Sequence, residues 1–137
     1  MTAHHSTIEL TGRQRGFHEI TSAIQDVVKQ SGIRVGTCTA FVQHTSAGIC
    51  IQENADPSAR HDMERWLDRA APEHDAEYTH TIEGSDDMPA HLKAILTGID
   101  VVVPVIDGAL ALGTWQGVYF CEFRNQPGRR NIVVVVQ

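Results

Sequence analysis

The chain of 137 residues alternates between two hydrophobic periods, one of two residues and one near 3.6 residues. Period-two alternation and short apolar runs predict strands at eight places: 6–12, 36–44, 47–53, 76–84, 99–107, 108–116, 117–124 and 131–137. Helical periodicity with capping residues predicts helices at three places: 17–32, 55–72 and 86–98. Strands outnumber helices and often follow one another directly.

Local signals add detail to these segments. A short Thr-Ser turn between 36–44 and 47–53 predicts a hairpin of those two strands. The first helix is expected to begin near Phe17. In the second helix, Asp56 is expected to cap the N-terminus, and the buried stripe is expected to comprise Met63, Trp66, Leu67 and Ala70.

This order of elements predicts an α+β fold. We expect one domain over residues 1–137, with mostly antiparallel, sandwich-like sheet layers and about three helices packed on them. The run Val133–Val136 is apolar on both of its faces, so it needs cover on two sides. A second layer or another subunit would provide that cover, and an oligomer is therefore expected.

Charge and cysteine content limit the classes of function. The formal net charge is -6 and the sequence pI is about 5.7, which is unlike the basic footprint of a nucleic-acid or anionic-membrane binder. The three cysteines form no CxxC pair and lie in apolar runs, as reduced thiols in the core do. Without a secretory signal or a long apolar span, the expected location is the cytoplasm.

Periodicity separates three histidines from the other five. His44 ends a strand on its inward side, His80 follows the more apolar side of 76–84, and His91 borders the buried stripe of the third helix. Neutral imidazoles around one open position suit zinc or a similar divalent ion, and they also suit acid–base chemistry near neutral pH. The alternative is three independent core histidines, each bonded to backbone or to a carboxylate.

Several other polar residues are candidates for a site. Glu53 continues an inward alternation, so it either lines a site or forms a structural ion pair with an arginine such as Arg124. One of the two aspartates before the third helix is expected to cap it, leaving the other for a divalent cation or for solvent. Trp115 and Gln116 lie in a glycine-flanked loop, where they either bind an aromatic ring or anchor the turn.

The motifs "QHTSAGICIQENADP", "RHDMERW", "EGSDDMPAHLKAIL" and "LALGTWQGVYFCEFR" closely resemble the YjbQ family, whose members are also described as secondary thiamine-phosphate synthases. The resemblance runs from about Arg15 to the C-terminus. It implies an α+β fold, a homotrimer and a site that includes the following residues: His44, Glu53, Asn54, Asp56, His80, Asp87, His91, Trp115 and Gln116. One departure is Gln52, where the family usually has Asn.

The implied reaction joins hydroxymethylpyrimidine pyrophosphate to thiazole phosphate and releases pyrophosphate. It requires a divalent cation, either Mg²⁺ held by Asp87 and Glu53 or Zn²⁺ at the histidines, and no organic cofactor. In this scheme Arg124 contacts phosphate and Trp115 stacks on the pyrimidine. Two alternatives stay open: a metal-dependent hydrolase in which Glu53 activates water, and a metal- or metabolite-binding oligomer without turnover.

Overall fold

The computed structural model describes residues 2–137 and has the predicted α+β architecture, with eight mostly antiparallel strands and three helices. The strands are β1 (His4–Thr11), β2 (Gly16–Glu19), β3 (Gly36–Val42), β4 (Ala47–Glu53), β5 (Asp100–Ile106), β6 (Ala109–Leu110), β7 (Gln116–Glu122) and β8 (Arg129–Val136). The helices are α1 (Thr21–Ser31), α2 (Pro57–Ala70) and α3 (Asp87–Thr97).

The strands form two antiparallel sheets. The larger sheet has the order β1-β8-β3-β5-β6, and the smaller has the order β2-β7-β4. One hydrophobic core joins the inner faces of both sheets to α1, with Ala40, Ile49, Phe120 and Val134 at most 1% exposed. Alternation along each strand produces this arrangement, because every second side chain points into the core.

A second, smaller core lies on the other face of the three-stranded sheet. There Tyr119, Cys121 and Phe123 pack against Leu67 of α2 and Ala90 of α3. Because alternate residues of β7 enter the two cores, this strand is buried on both faces and reads as a continuous apolar run. Helix α3 is thereby held over the sheet, and it carries the candidate site described below.

Several local predictions were wrong. Phe17 lies in β2, which pairs with β7, and α1 begins only at Thr21. Strands β3 and β4 belong to different sheets, so they form no hairpin. The segment 76–84 consists of turns and irregular loop and contains no strand. On α2, Leu67 is buried as predicted, whereas Trp66 is 54% exposed and Ala70 is also exposed.

The outer face of the five-stranded sheet has no covering layer within residues 2–137. Phe41 pairs with Val133 across the sheet, and Thr39 lies between Val102 and Val135 on the same face. Phe41 and Val102 are 43% and 57% exposed. Residues of β8 that alternate with Val133 and Val135, such as Val134, point to the inner face and are fully buried. Strand β8 is therefore apolar on both faces but covered on only one.

A buried ion pair joins β7 to β8. Glu122 is fully buried and accepts hydrogen bonds from Nε and Nη2 of Arg130 at 2.7 and 2.6 Å. The same Arg130 nitrogen, Nη2, donates to Ser46 Oγ at 3.1 Å. The pair therefore connects both sheets to the segment that leads into β4.

We expect Glu122→Gln to lower the free energy of unfolding by about 3–5 kcal/mol, because it leaves the buried Arg130 guanidinium without its counter-charge. Urea unfolding measures this loss. The matched control is Glu9→Gln, which removes an exposed pair with Arg129 at 3.4 Å and should cost less than about 1 kcal/mol. Equal losses in the two variants would contradict a special role for the buried pair.

None of the helices in the described part of the chain is both long and apolar enough to span a membrane.

Candidate functional site

Close backbone contacts fix helix α3 against strand β4. The Ile49 N–H donates to the Gly98 carbonyl at 3.0 Å, just after the helix ends. A Cβ at Gly48 would collide with Thr97 Oγ1 and with the Gly98 carbonyl, so only glycine permits this approach. These contacts hold the C-terminal end of α3 on β4, and the contact of His91 Nδ1 with the Thr45 carbonyl at 2.7 Å places the helix beside the loop that joins β3 to β4, which carries His44.

Two histidines and one carboxylate converge at the start of α3. Asp87 is 1% exposed, and its Oδ2 lies 2.9 Å from His80 Nε2 and 3.1 Å from His91 Nε2. One ligand atom from each of the three residues can be chosen so that all lie within 4.8 Å of one another. Asp87 and His91 are one helical turn apart, which places both on the same side of α3. His80 comes from the preceding loop.

Arg124 holds the Asp87 carboxylate in place. Its Nη1 donates to Asp87 Oδ1 at 2.6 Å, its Nε donates to Asp86 Oδ2 at 3.0 Å, and its Nη2 donates to the Glu83 carbonyl at 2.9 Å. Three of the five N–H groups of the guanidinium are therefore used within the protein. Arg124 orients Asp87, and the predicted ion pair between Arg124 and Glu53 does not form.

Neither aspartate caps α3 with its side chain, contrary to the prediction. Asp86 occupies the N-cap position but makes no side-chain capping bond, because its Oδ2 accepts from Arg124 and from the Asn125 N–H. These bonds lower the pKa of Asp86, although burial acts in the opposite direction. Both carboxylates thus serve to assemble the site.

The surroundings of His91 restrict its proton arrangement. Its Nδ1 lies 2.7 Å from the Thr45 carbonyl, which can only accept, so Nδ1 carries a proton. A neutral ring then directs the Nε2 lone pair at the Asp87 carboxylate. Two lone pairs repel each other, so either a second proton on the ring or a cation between the two atoms must balance the contact. The donor set therefore fits a bound cation.

An open cleft of about 730 Å³ is lined by two of the three residues, His80 and His91. His44, His80 and His91 contribute polar groups to its wall. Most of the lining is apolar, and it comes from four side chains: Met88, Ala94, Ile95 and Ile99. A mostly apolar cleft with a few convergent polar groups is typical of a small-molecule site.

His44 lines this cleft but differs from the other two histidines. Its Nε2 accepts a hydrogen bond from the Asn131 N–H at 2.8 Å, so the neutral ring carries its proton on Nδ1. Burial lowers the pKa of His44, and the nearby positive charge of Arg130 lowers it further. His44 is therefore a neutral donor at the cleft wall, and it is not one of the three residues grouped closely enough to share an ion.

The lowered pKa of His44 predicts a pH effect on stability. The folded chain binds this proton more weakly than the unfolded chain, so the stabilisation is present above the unfolded value near 6.5 and is lost as the pH falls through the folded value. In His44→Gln the amide oxygen can still accept from Asn131. Between neutral pH and about pH 5, we expect the variant to lose less unfolding free energy than the wild type. Identical losses would contradict the assignment.

The other predicted site residues lie at the opposite end of the three-stranded sheet. Ala47, at the start of β4, pairs with Glu122, whereas Glu53, at its end, pairs with Gln116. The six residue steps between Ala47 and Glu53 span about 20 Å of strand. Within one chain, the Glu53 end is therefore separated from the histidine cleft.

At this distant end, the polar side chains bond mainly to one another and to backbone. Glu53 accepts from the N–H groups of Ala55 and Asp56 at 3.2 Å, and Asn54 donates to Glu19 at 3.0 Å. Asp56 caps α2 by accepting from the Ser58 N–H, as predicted. Gln116 accepts from the Gly113 N–H at 2.8 Å, and Trp115 is 64% exposed. Gln52 lies on the adjoining part of β4.

Sequence reasoning missed two features of the site. The i, i+4 spacing of Asp87 and His91 was visible, and it places a carboxylate and an imidazole on one helix face. Glu122 was also visible as a charge inside the apolar run 117–124, where burial demands a partner. The identity of that partner, Arg130, depends on the sheet order and has no local signal.

One protein family and several related sequences match the chain over nearly its whole length. The family described as UPF0047 protein YjbQ-like matches residues 6–137. A UPF0047 protein of Synechocystis is 42% identical over 133 residues, covering 97% of this chain and 90% of that protein. UPF0047 protein YjbQ of Escherichia coli O157:H7 is 39% identical over 132 residues, covering 96% of this chain and 95% of its own length.

Solved structures share the fold over almost the whole chain. An uncharacterised protein of the YjbQ/UPF0047 family from Clostridium acetobutylicum superposes with a TM-score of 0.88 at 37% identity, covering 96% of this chain and 99% of that one. A YbjQ-like protein of unknown function from Sulfolobus solfataricus P2 has a TM-score of 0.89 at 26% identity, with 98% and 96% covered. The chain belongs to the YjbQ-like UPF0047 family.

Proposed function

From this family membership, we propose that the chain is a metal-dependent enzyme that acts on a phosphorylated small molecule in the histidine cleft. The proposal rests on the convergence of His80 and His91 on Asp87 beside a cleft of about 730 Å³. The reaction that we propose first is synthesis of thiamine phosphate, because the motifs of this chain resemble those of secondary thiamine-phosphate synthases.

His80, Asp87 and His91 would hold the ion. Two imidazole nitrogens and one carboxylate oxygen suit Zn²⁺ or a similar transition metal better than Mg²⁺, which prefers oxygen ligands. When bound, such an ion supplies positive charge that stabilises phosphate oxygens. Arg124 orients Asp87 by donating to Oδ1, which leaves Oδ2 for the ion.

The cleft supplies binding groups for the two parts of such a substrate. The Nδ1–H of neutral His44 can donate to a phosphate oxygen, while Met88, Ile95 and Ile99 offer apolar contacts to an uncharged ring. In the proposed reaction the thiazole nitrogen attacks the pyrimidine methylene, a C–N bond forms, and the C–O bond to pyrophosphate breaks. The nucleophile needs no base, so neutral His44 contributes binding rather than proton removal.

The hydrolase alternative receives less support from the geometry. It assigns activation of water to Glu53, yet Glu53 lies about 20 Å from the start of β4 in the same chain. Its Oε2 is also occupied by the Ala55 and Asp56 N–H groups. Only a neighbouring chain could bring Glu53 to the cleft.

A turnover assay on untagged protein tests the proposed reaction. Metal-free protein is incubated with hydroxymethylpyrimidine pyrophosphate and thiazole phosphate, with and without added Zn²⁺ or Mn²⁺, and thiamine phosphate is quantified by mass. We expect product only after metal addition, and none with His91→Ala. Pyrophosphate release without the thiazole substrate would favour a hydrolase. Metal binding without turnover of either kind would favour a binding protein.

We further propose that the chain forms the homotrimer that the resemblance implies. The support is the uncovered outer face of the five-stranded sheet, where Phe41, Val102, Val133 and Val135 form an apolar patch. Patches of this kind commonly mark interfaces. A cyclic trimer joins two different surfaces of neighbouring chains. Such an arrangement would allow the Glu53–Gln116 end of one chain to complete the cleft of another.

A further inference from the structure

Outside the candidate site, two cysteines lie side by side on neighbouring strands. In the β4–β7 register Cys50 is opposite Tyr119, and Gly48 is opposite Cys121, so the cysteines form a diagonal pair. Their Sγ atoms are 3.8 Å apart. Diagonal neighbours on one sheet face are close enough for side chains to interact. The two residues are 71 positions apart along the chain, so their proximity could not be predicted from local sequence.

The two thiols differ in access. Cys50 is half-buried and lines a cleft of about 300 Å³ together with Met63, Trp66 and Leu96. Cys121 is fully buried behind it, in the smaller hydrophobic core. A small reagent can therefore reach Cys50 first, and Cys121 reacts only through Cys50.

The two thiols also differ in pKa. The hydrogen bond between the two thiols lowers the pKa of Cys50 against the opposing effect of burial. Burial raises the pKa of Cys121 well above its ordinary value, and the bond to Cys50 raises it further. An accessible thiol of lowered pKa beside a buried second thiol is the arrangement found in redox-sensing pairs.

We propose that Cys50 and Cys121 form a reversible intramolecular disulfide when a hydroperoxide reaches Cys50. The Cys50 thiolate attacks one peroxide oxygen, the O–O bond breaks, and Cys50 becomes a sulfenic acid while the other oxygen leaves as hydroxide or alkoxide. The Cys121 sulfur then attacks Cys50, its proton goes to the departing oxygen, and water leaves. Two thiols are oxidised by two electrons in total, and the peroxide is reduced. The Sγ atoms must approach from 3.8 Å to about 2.0 Å, which requires side-chain rotation together with a small shift of the two strands, since diagonal neighbours lie about 7–8 Å apart.

Cys38 provides an internal control. It is 2% exposed, and burial raises its pKa to about 11. The full chain is treated with limiting hydrogen peroxide, quenched, denatured and alkylated. Its intact mass and a peptide map are then measured by mass spectrometry. Of the three thiols, only Cys38 should then be alkylated, with Cys50 and Cys121 joined in one peptide pair, and dithiothreitol should restore all three.

Variants separate the two chemical steps. Cys38→Ser should form the disulfide as the wild type does, and Cys50→Ser should form none. In Cys121→Ala the sulfenic acid at Cys50 should persist and react with dimedone. If that variant does not fold, the peptide map of the wild type decides alone. Three free thiols after treatment, a disulfide that involves Cys38, a link between chains, or over-oxidation of Cys50 with Cys121 still free would overturn the proposal.

Discussion

Replacement of Asp87 by asparagine is expected to reduce the affinity for Zn²⁺ by at least about 100-fold, since loss of an outer-shell partner alone costs 10- to 100-fold. The amide keeps the shape of the side chain but removes its charge. His80 and His91 then face a neutral group, and Arg124 loses the closer of its two carboxylates. Competition with a fluorescent zinc chelator measures the change, and turnover should fall with it.

The matched control is Asp86→Asn. Asp86 binds the same arginine at 3.0 Å, but it contributes no atom to the group of His80, Asp87 and His91. We expect the zinc affinity of this variant to stay within about threefold of the wild type, because the ligand atoms are unchanged. If both asparagine variants lost affinity equally, the effect would belong to the Arg124 network, and Asp87 would not be a ligand.

Replacement of Phe41 by aspartate is expected to convert the proposed trimer to monomers. A charge placed at the centre of an apolar interface without a partner costs about 3 kcal/mol or more per contact, which weakens association by more than about 100-fold. Phe41 is 43% exposed in the single chain, so the substitution itself is tolerated by the folded subunit. Light scattering during size-exclusion chromatography measures the mass.

Gln30→Asp serves as the control for this experiment, since it adds the same charge to an exposed polar position on α1. This variant should keep the mass of the wild type. A wild-type chain that is already monomeric, or a Phe41→Asp variant that still forms the full oligomer, would remove the outer sheet face from the interface. Turnover that survives in the monomer would show that one chain completes the cleft.

Local patterns predicted the elements whose partners are near in sequence. The bounds of helices α2 and α3 are close to the predicted ones. Asp56 and Pro57 mark the start of α2 and Gly98 follows the end of α3, so each signal lies within one turn of the helix end that it predicts. The α+β class followed from the number and order of the strands. These features are determined by neighbouring residues, so local sequence patterns predict them.

Two of the wrong predictions involve pairings between distant segments. Phe17 and Ile20 fit a helical face, yet 16–19 pairs with β7 because β7 offers an open edge. Strands β3 and β4 look like a hairpin, but Arg130 and Asn131 hold the intervening loop so that the chain crosses between sheets. Hydrophobic periodicity within a short segment does not show which distant strand that segment pairs with.

The candidate site divides in the same way. His91 was placed by its helix face, and the turn-rich segment 76–84 brings His80 to it through contact with Asp87. Glu53 shared the inward alternation of β4, but alternation gives the face of a strand and not the end at which a site lies. The sequence therefore predicted site residues without predicting that one chain separates them into two groups.

A crystal of untagged protein soaked with Zn²⁺ tests the proposed metal site most directly, with anomalous diffraction recorded above and below the zinc edge. We expect one anomalous peak at about 2.0–2.2 Å from the Nε2 atoms of His80 and His91 and from a carboxylate oxygen of Asp87. A zinc-soaked crystal in which both rings keep their hydrogen bonds to Asp87, with no peak among the three residues, would contradict it.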